Sequence, residues 1–115
     1  MSQQSTPRML AHSVYFKLHD DSDLAKGNLI AACQRQLSDH PGIVFFAVGA
    51  RAEEIEWSIS DRGFDVVLHL VFESKAAHDQ YQDSARHVQF MAENDDNWKE
   101  VRVADAYVEG VDRAK

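Results

Sequence analysis

The strongest periodicity in the chain lies at residues 64 to 90, where FDVVLHLVF runs into ESKAAHDQYQDSARHVQF. Phe64, Val66, Leu68, Leu70 and Phe72 alternate with Asp65, Val67, His69 and Val71, the period of two that marks a strand with unequal faces. The helical stretch after it carries Tyr81 and, six residues on, His87. A phenol and an imidazole arriving over the apolar face of a central strand make this the first place to look for chemistry.

Met9 to Leu18 alternates in the same way, with Leu10, His12, Val14, Phe16 and Leu18 on one face and Met9, Ala11, Ser13, Tyr15 and Lys17 on the other. A histidine thus falls in an otherwise apolar row. Asp21 or Ser22 can cap the next helix, in which Ala25, Leu29, Ile30, Cys33 and Leu37 recur at threes and fours. Gly27 weakens that helix by about 1 kcal/mol relative to alanine, and His40-Pro41-Gly42 stops it. Ile43 to about Ile55 predicts a second strand, with Gly49 as a bulge or bend. Residues 50 to 63 predict the arms and tip of a hairpin leading into the third strand. Ser74 is placed to cap a short helix through Tyr81. Asp83-Ser84 breaks it and caps a further turn and a half on which His87, Phe90 and Met91 share a face. Asn94 to Asn97 reads as a polar loop, and Trp98 leads into a last strand, Val101 to Val108.

Strand, helix, strand, strand, helix, strand is the order of a ferredoxin-like α+β domain, a four-stranded antiparallel sheet with helices on one face. The domain is expected to span residues 9 to 108, after a disordered leader (1 to 8) and before a polar tail (109 to 115). The helix-free face carries Met9, Ala11 and Tyr15, then Val67 and Val71, then Ala104, Ala106 and Val108. That is too much apolar surface to leave wet, and a second copy packed sheet to sheet would cover it. A homodimer is therefore expected, forming a dimeric α+β barrel.

Charge narrows the partners. With 19 acidic against 12 basic residues, the net charge is -7 and the pI about 5.2. Such a chain repels phosphate backbones, and it lacks a basic stripe with interleaved aromatics, so nucleic acid is excluded as a partner. No apolar run approaches the roughly 18 residues of a membrane span. The polar start MSQQSTPR lacks a secretory signal's apolar core, and the cytoplasm is the expected location. Cys33 is the sole cysteine, which rules out an internal disulfide and points to a small packed side chain. No glycine-rich phosphate loop is present and no cofactor is expected. A metal site built on His12 and His87 lacks a third ligand at any recognisable spacing, so none is expected either. His69 falls on the opposite face beside Asp65. His19, His40 and His78 fall at turns or on exposed helix, and Trp57 is an exposed aromatic or a lid.

Several segments, taken in order, resemble one family: His12-Ser-Val-Tyr-Phe-Lys-Leu, Pro41-Gly42-Ile43, Phe64-Asp65, Phe72-Glu73-Ser74, Tyr81 with His87-Val88-x-Phe90, and Val103-x-Asp105. They are similar to the stress-responsive A/B barrel domain, a dimeric α+β barrel. Its members include a plant polyketide cyclase that closes a ring by aldol condensation without a cofactor, and heat-stable plant oligomers of no established activity. The resemblance implies that Tyr81 and His87 serve chemistry and that His12 lines the same pocket. It also implies that Val14, Phe16, Phe90, Trp98, Val101 and Val103 form the walls. The family often has His-Pro before the helix that carries the histidine, whereas this chain has Ser84-Ala85.

Two functional readings stand at this stage. In one, His87 is a general base, with Tyr81 orienting it or donating to a developing enolate, in a cofactor-free lyase or cyclase acting on a small apolar carbonyl compound. In the other, the chain is a non-catalytic dimeric barrel that binds a hydrophobic ligand or contributes stability under stress, and Tyr81 and His87 merely satisfy each other. Space separates the two. If Phe16, Phe90 and Trp98 fill the volume above His12, no substrate fits.

Overall fold

Alternation along the chain builds the sheet. The computed structural model describes residues 8 to 110, so the expected leader and tail lie almost wholly outside the described residues. Strand β1 (Met9–Leu18) leads through helix α1 (Asp23–Leu37) to β2 (Ile43–Ala50) and β3 (Val66–Phe72). Helices α2 (Lys75–Asp83) and α3 (Ala85–Asn94), then a 3-10 turn (Asp95–Asn97), lead to β4 (Trp98–Val108). The four strands form one antiparallel sheet in the order β2-β3-β1-β4, the expected ferredoxin-like arrangement. Among the described residues, no helix is long and apolar enough to cross a membrane.

Every second residue of the two central strands is buried. Leu10, His12, Val14, Phe16 and Leu18 of β1, with Val66, Leu68, Leu70 and Phe72 of β3, form the floor of the core. Leu29, Ala32, Cys33 and Leu37 of α1, Ala77 and Tyr81 of α2 and Phe90 of α3 close it from above. Burial pushes the Cys33 thiol up to about 12, which leaves it protonated and inert. Ser22 and Ser74 cap α1 and α2 by accepting from the backbone N–H of Ala25 and Ala77. Gly42, with φ +87°, makes the turn into β2, and a Cβ there would collide with Ala77 on α2.

Five local expectations are corrected. Strand β2 ends at Ala50, and residues 51 to 65 are an irregular loop rather than paired hairpin arms. Ile55, Trp57 and Ile59 are exposed in that loop, so their spacing imitates a strand without a partner to pair with. The register shift in β2 lies between Ile43 and Phe45, whereas Gly49 stays in the ladder opposite Val67. Phe64 precedes β3 and leaves its buried row, packing edge to face on Tyr15 with ring centroids 5.2 Å apart. Strand β4 starts at Trp98, three residues early, and α3 runs ten residues instead of a turn and a half.

Beyond Trp98, which packs on Phe90 of α3, the helices leave β4 uncovered. Its side chains in register with the buried row of β1, namely Val101, Val103, Asp105 and Tyr107, are exposed along that edge strand. This places an opening beside β4, between the sheet and α3.

Truncating the floor of the core should be costly. Leu68 is 1% exposed in the middle of β3, and Leu68→Ala is expected to lose about 2 to 5 kcal/mol in chemical denaturation. A loss below about 1 kcal/mol would contradict the face assignment.

Candidate functional site

The break between α2 and α3 sets the two residues singled out by sequence. Ser84 ends α2 and caps α3. Its hydroxyl donates to the carbonyl of Tyr81 at 2.8 Å and accepts from the backbone N–H of His87 at 3.2 Å. One side chain therefore ties both segments, at the position where the resemblance leads one to expect histidine. Arg86 anchors α3 from the other side, donating to the carbonyls of Arg35 and Asp39 at the end of α1. Tyr81 and His87 then meet edge to face, with ring centroids 4.8 Å apart. They touch through their rings. His87 Nδ1 is buried with no hydrogen-bond partner among the described residues.

His12 reaches the same place from β1. Its Nδ1 lies 2.5 Å from Asp105 Oδ1, because the register sets His12 opposite Asp105 on β4. A carboxylate acceptor there assigns the proton to Nδ1 and leaves Nε2 with a lone pair. His12 is only 2% exposed, and burial pushes its pKa below 6.5. The hydrogen bond and the charge of Asp105 oppose that push, while His78 adds to it.

One cavity of about 130 Å³ joins these groups. It is bordered by His12, Val14, Phe16, Tyr81, His87, Phe90, Trp98, Val101 and Val103, every residue expected from the sequence, and also by Leu37, Leu68, Gln82 and Met91. Phe16 and Phe90 pack against Trp98, with centroids 5.0 and 5.7 Å away, and the three leave the space beside His12 open. Trp98 Nε1, like His87 Nδ1, is buried without a partner among the described residues.

Sequence reasoning missed two histidines, one beside His12 and one beside Tyr81. His78 was placed on exposed helix, yet its ring lies 4.9 Å from that of His12. His40 was placed at a turn, and its ring packs on Tyr81 at 5.0 Å while its Nε2–H donates to the Gln36 carbonyl. Asp105 was quoted only as part of a motif. Pairing of β1 with β4 gives it its role, and a period-two reading of either strand alone carries no signal for that. His69 lies on the helix-free face, hydrogen-bonded to Ser13 at 2.9 Å, and Trp57 stands 72% exposed in the 51 to 65 loop.

The electrostatics favour neutral imidazoles. Burial lowers the pKa of His87, and His12, His40 and His78 lower it further, against a hydrogen bond to the Gln82 backbone carbonyl that raises it. Burial, and after it Cys33, also raise Tyr81 well above its ordinary value, so the hydroxyl keeps its proton and remains a donor.

This arrangement predicts acid sensitivity. The unfolded chain takes up the His87 proton near pH 6.5, while the folded chain takes it up only at lower pH. Below about 6.5 the unfolded state binds more protons, so stability falls as pH drops through that window and is independent of this group above it. Thermal unfolding is expected to show a lower midpoint at about pH 5.5 than at about pH 7.5, and His87→Asn should flatten part of that slope. Equal slopes in both proteins would contradict the placement of His87.

The chain was compared with known proteins. No curated protein matches it. Solved structures do, at identities that speak to the fold alone. A dimeric ferredoxin-like protein from Thermobifida fusca is 14% identical, with a TM-score of 0.74 over 93% of this chain and 97% of that one. A Dabb family protein with a ferredoxin-like fold from Mesorhizobium loti is 21% identical, with a TM-score of 0.73 over 90% and 99%. The hydroxynitrile lyase of Passiflora edulis is 17% identical, with a TM-score of 0.72 over 93% and 99%. The sequence profile of the stress responsive A/B barrel domain matches residues 10–108, so the chain belongs to that family.

Proposed function

We propose that the chain is a cofactor-free acid–base catalyst for a small apolar carbonyl compound, working as a homodimer. The observation that carries this reading is the single cavity that His12, Tyr81 and His87 share. Its walls are otherwise mostly apolar. At about 130 Å³ it suits a ligand on the order of benzene in size, far smaller than an extended polyketide chain.

In this reading His87, neutral at working pH, removes a proton alpha to the carbonyl. The Tyr81 hydroxyl donates to the oxygen as negative charge develops on it, in a site where low polarity strengthens that bond. The proton taken up by His87 is returned from the same ring when the reaction closes, and His12, steadied by Asp105, offers a bare Nε2 on the cavity wall as a hydrogen-bond acceptor. A ligand oxygen also gives the Trp98 N–H the partner it otherwise lacks. The fold is compatible with lyase chemistry, since one structural neighbour is named a hydroxynitrile lyase.

The dimer rests on the helix-free face. Val67, Val71, Met9, Ala11 and Tyr15 are only half-buried there, and Ala104 and Ala106 are exposed. Strand β4 also leaves an unpaired edge. Structural neighbours from Thermobifida fusca and Bacteroides fragilis are described as dimeric.

Three experiments test this. Val67→Asp and Val71→Asp should each yield monomers in light scattering, because each buries a carboxylate without a partner; unchanged dimers would move the interface elsewhere. In NMR, a small cyclic ketone of about the size of benzene should shift the ring signals of His12, His87 and Trp98 together. His87→Ala should abolish any turnover, and Tyr81→Phe should cost less, since it removes one hydrogen bond and keeps the packing. If no carbonyl compound in a broad set moves these signals, and His87→Ala only lowers the melting temperature, the barrel is a scaffold without chemistry of its own.

A further inference from the structure

The wall between the pocket and the outside of β4 holds an unusual set of donors. His12, His78 and Asp105 each offer one ligand atom, and these atoms all lie within 4.8 Å of one another. They come from β1, α2 and β4, so only the folded chain assembles them. We propose that they form a site for a first-row divalent cation such as Zn²⁺, with three protein ligands and an open fourth position.

Three features support it. The first is the state of His78. Its Nδ1 lies 3.0 Å from Asp79 Oδ1 and its Nε2 lies 3.2 Å from the side-chain nitrogen of Gln82. Both contacts are satisfied when Nδ1–H donates to Asp79 and Nε2 accepts from the Gln82 amide. His78 thus presents a lone pair on Nε2, with a carboxylate behind its other nitrogen, the outer-shell arrangement of metal-binding histidines. An ion would displace the Gln82 amide.

The second feature is the His12–Asp105 contact, in which an ion can replace the shared proton. Bond lengths of about 2.0 to 2.2 Å to nitrogen and oxygen require the three donors to close inward by side-chain rotations on the order of 1 Å. Two imidazoles and one carboxylate suit zinc, cobalt or ferrous iron over magnesium or calcium, whose shells are all oxygen.

Access is the third. His78 and Asp105 border an outer cavity of about 190 Å³ with Leu10, Lys75, Ala106 and Tyr107. The Asp105 side chain is 43% exposed, that of His78 14% and that of His12 3%, so an ion can enter from solvent and end at the pocket wall. Lys75 is the nearby cation, and Asp79 offsets its charge at 2.7 Å. Occupancy replaces the His12 Nδ1 proton and is therefore an alternative to the metal-free arrangement proposed for catalysis; the site is read out by binding alone and stands whether or not the pocket is catalytic.

The test uses the full chain stripped with a chelator and titrated with Co²⁺. One equivalent should give a saturable visible absorption of low-coordinate cobalt, which Zn²⁺ then abolishes. His78→Gln and Asp105→Asn should each weaken binding by at least about 10-fold, while His87→Ala, in the same pocket but outside the trio, should bind as the parent does. Absence of a saturable spectrum, or unchanged affinity in both ligand variants, would overturn the proposal. NMR of the unaltered protein guards against variants that fail to fold. Substoichiometric Co²⁺ should broaden the His12 and His78 ring signals first, and first broadening at the exposed His19 would overturn the site.

Discussion

The arrangement depends on one contact, the hydrogen bond between His12 on β1 and Asp105 on β4. An imidazole buried in an apolar row costs free energy unless its polar atoms are satisfied, and Asp105 satisfies Nδ1. That requirement fixes the register of the edge strand, since a slip of one residue would turn Asp105 to the other face. The same register brings Val101 opposite Phe16 and Val103 opposite Val14, and so builds the open wall of the cavity. A strand the helices leave uncovered is thus tied to the core through a polar pair.

The second constraint is the Ser84 junction. A histidine six residues after a tyrosine on one continuous helix would point well away from it, since six residues turn through about 600°, or 240° net. Breaking the helix at Ser84, with its hydroxyl bonded to both sides, lets the two rings meet. Three imidazoles, those of His12, His40 and His87, then gather around one buried phenol. Burial, with neighbouring imidazoles adding to it, lowers the pKa of His12 and His87, so neither ring carries charge in the resting state at neutral pH.

Much of this was legible in the sequence where a local rule decides. The buried row of β1 could be read residue by residue, because period-two alternation and burial coincide there. The serine caps and the stop at Pro41-Gly42 were equally local. The loop after Ala50 was not. Ile55, Trp57 and Ile59 alternate with polar neighbours as a strand would, but nothing in a single sequence says that the chain leaves the sheet. Phe64 misled for a related reason, extending the β3 row in pattern but not in space. The pocket walls came through resemblance. The roles of His78 and Asp105 depend on helix docking and cross-strand register, which are tertiary facts.

The most direct test of this account is the protonation of His12 read by nitrogen-resolved NMR at neutral pH. The account predicts, in the metal-free protein, a neutral ring with the proton on Nδ1 and a bare Nε2, and loss of that preference in Asp105→Leu, which removes the acceptor. A ring protonated on Nε2, or a preference that survives Asp105→Leu unchanged, would contradict it.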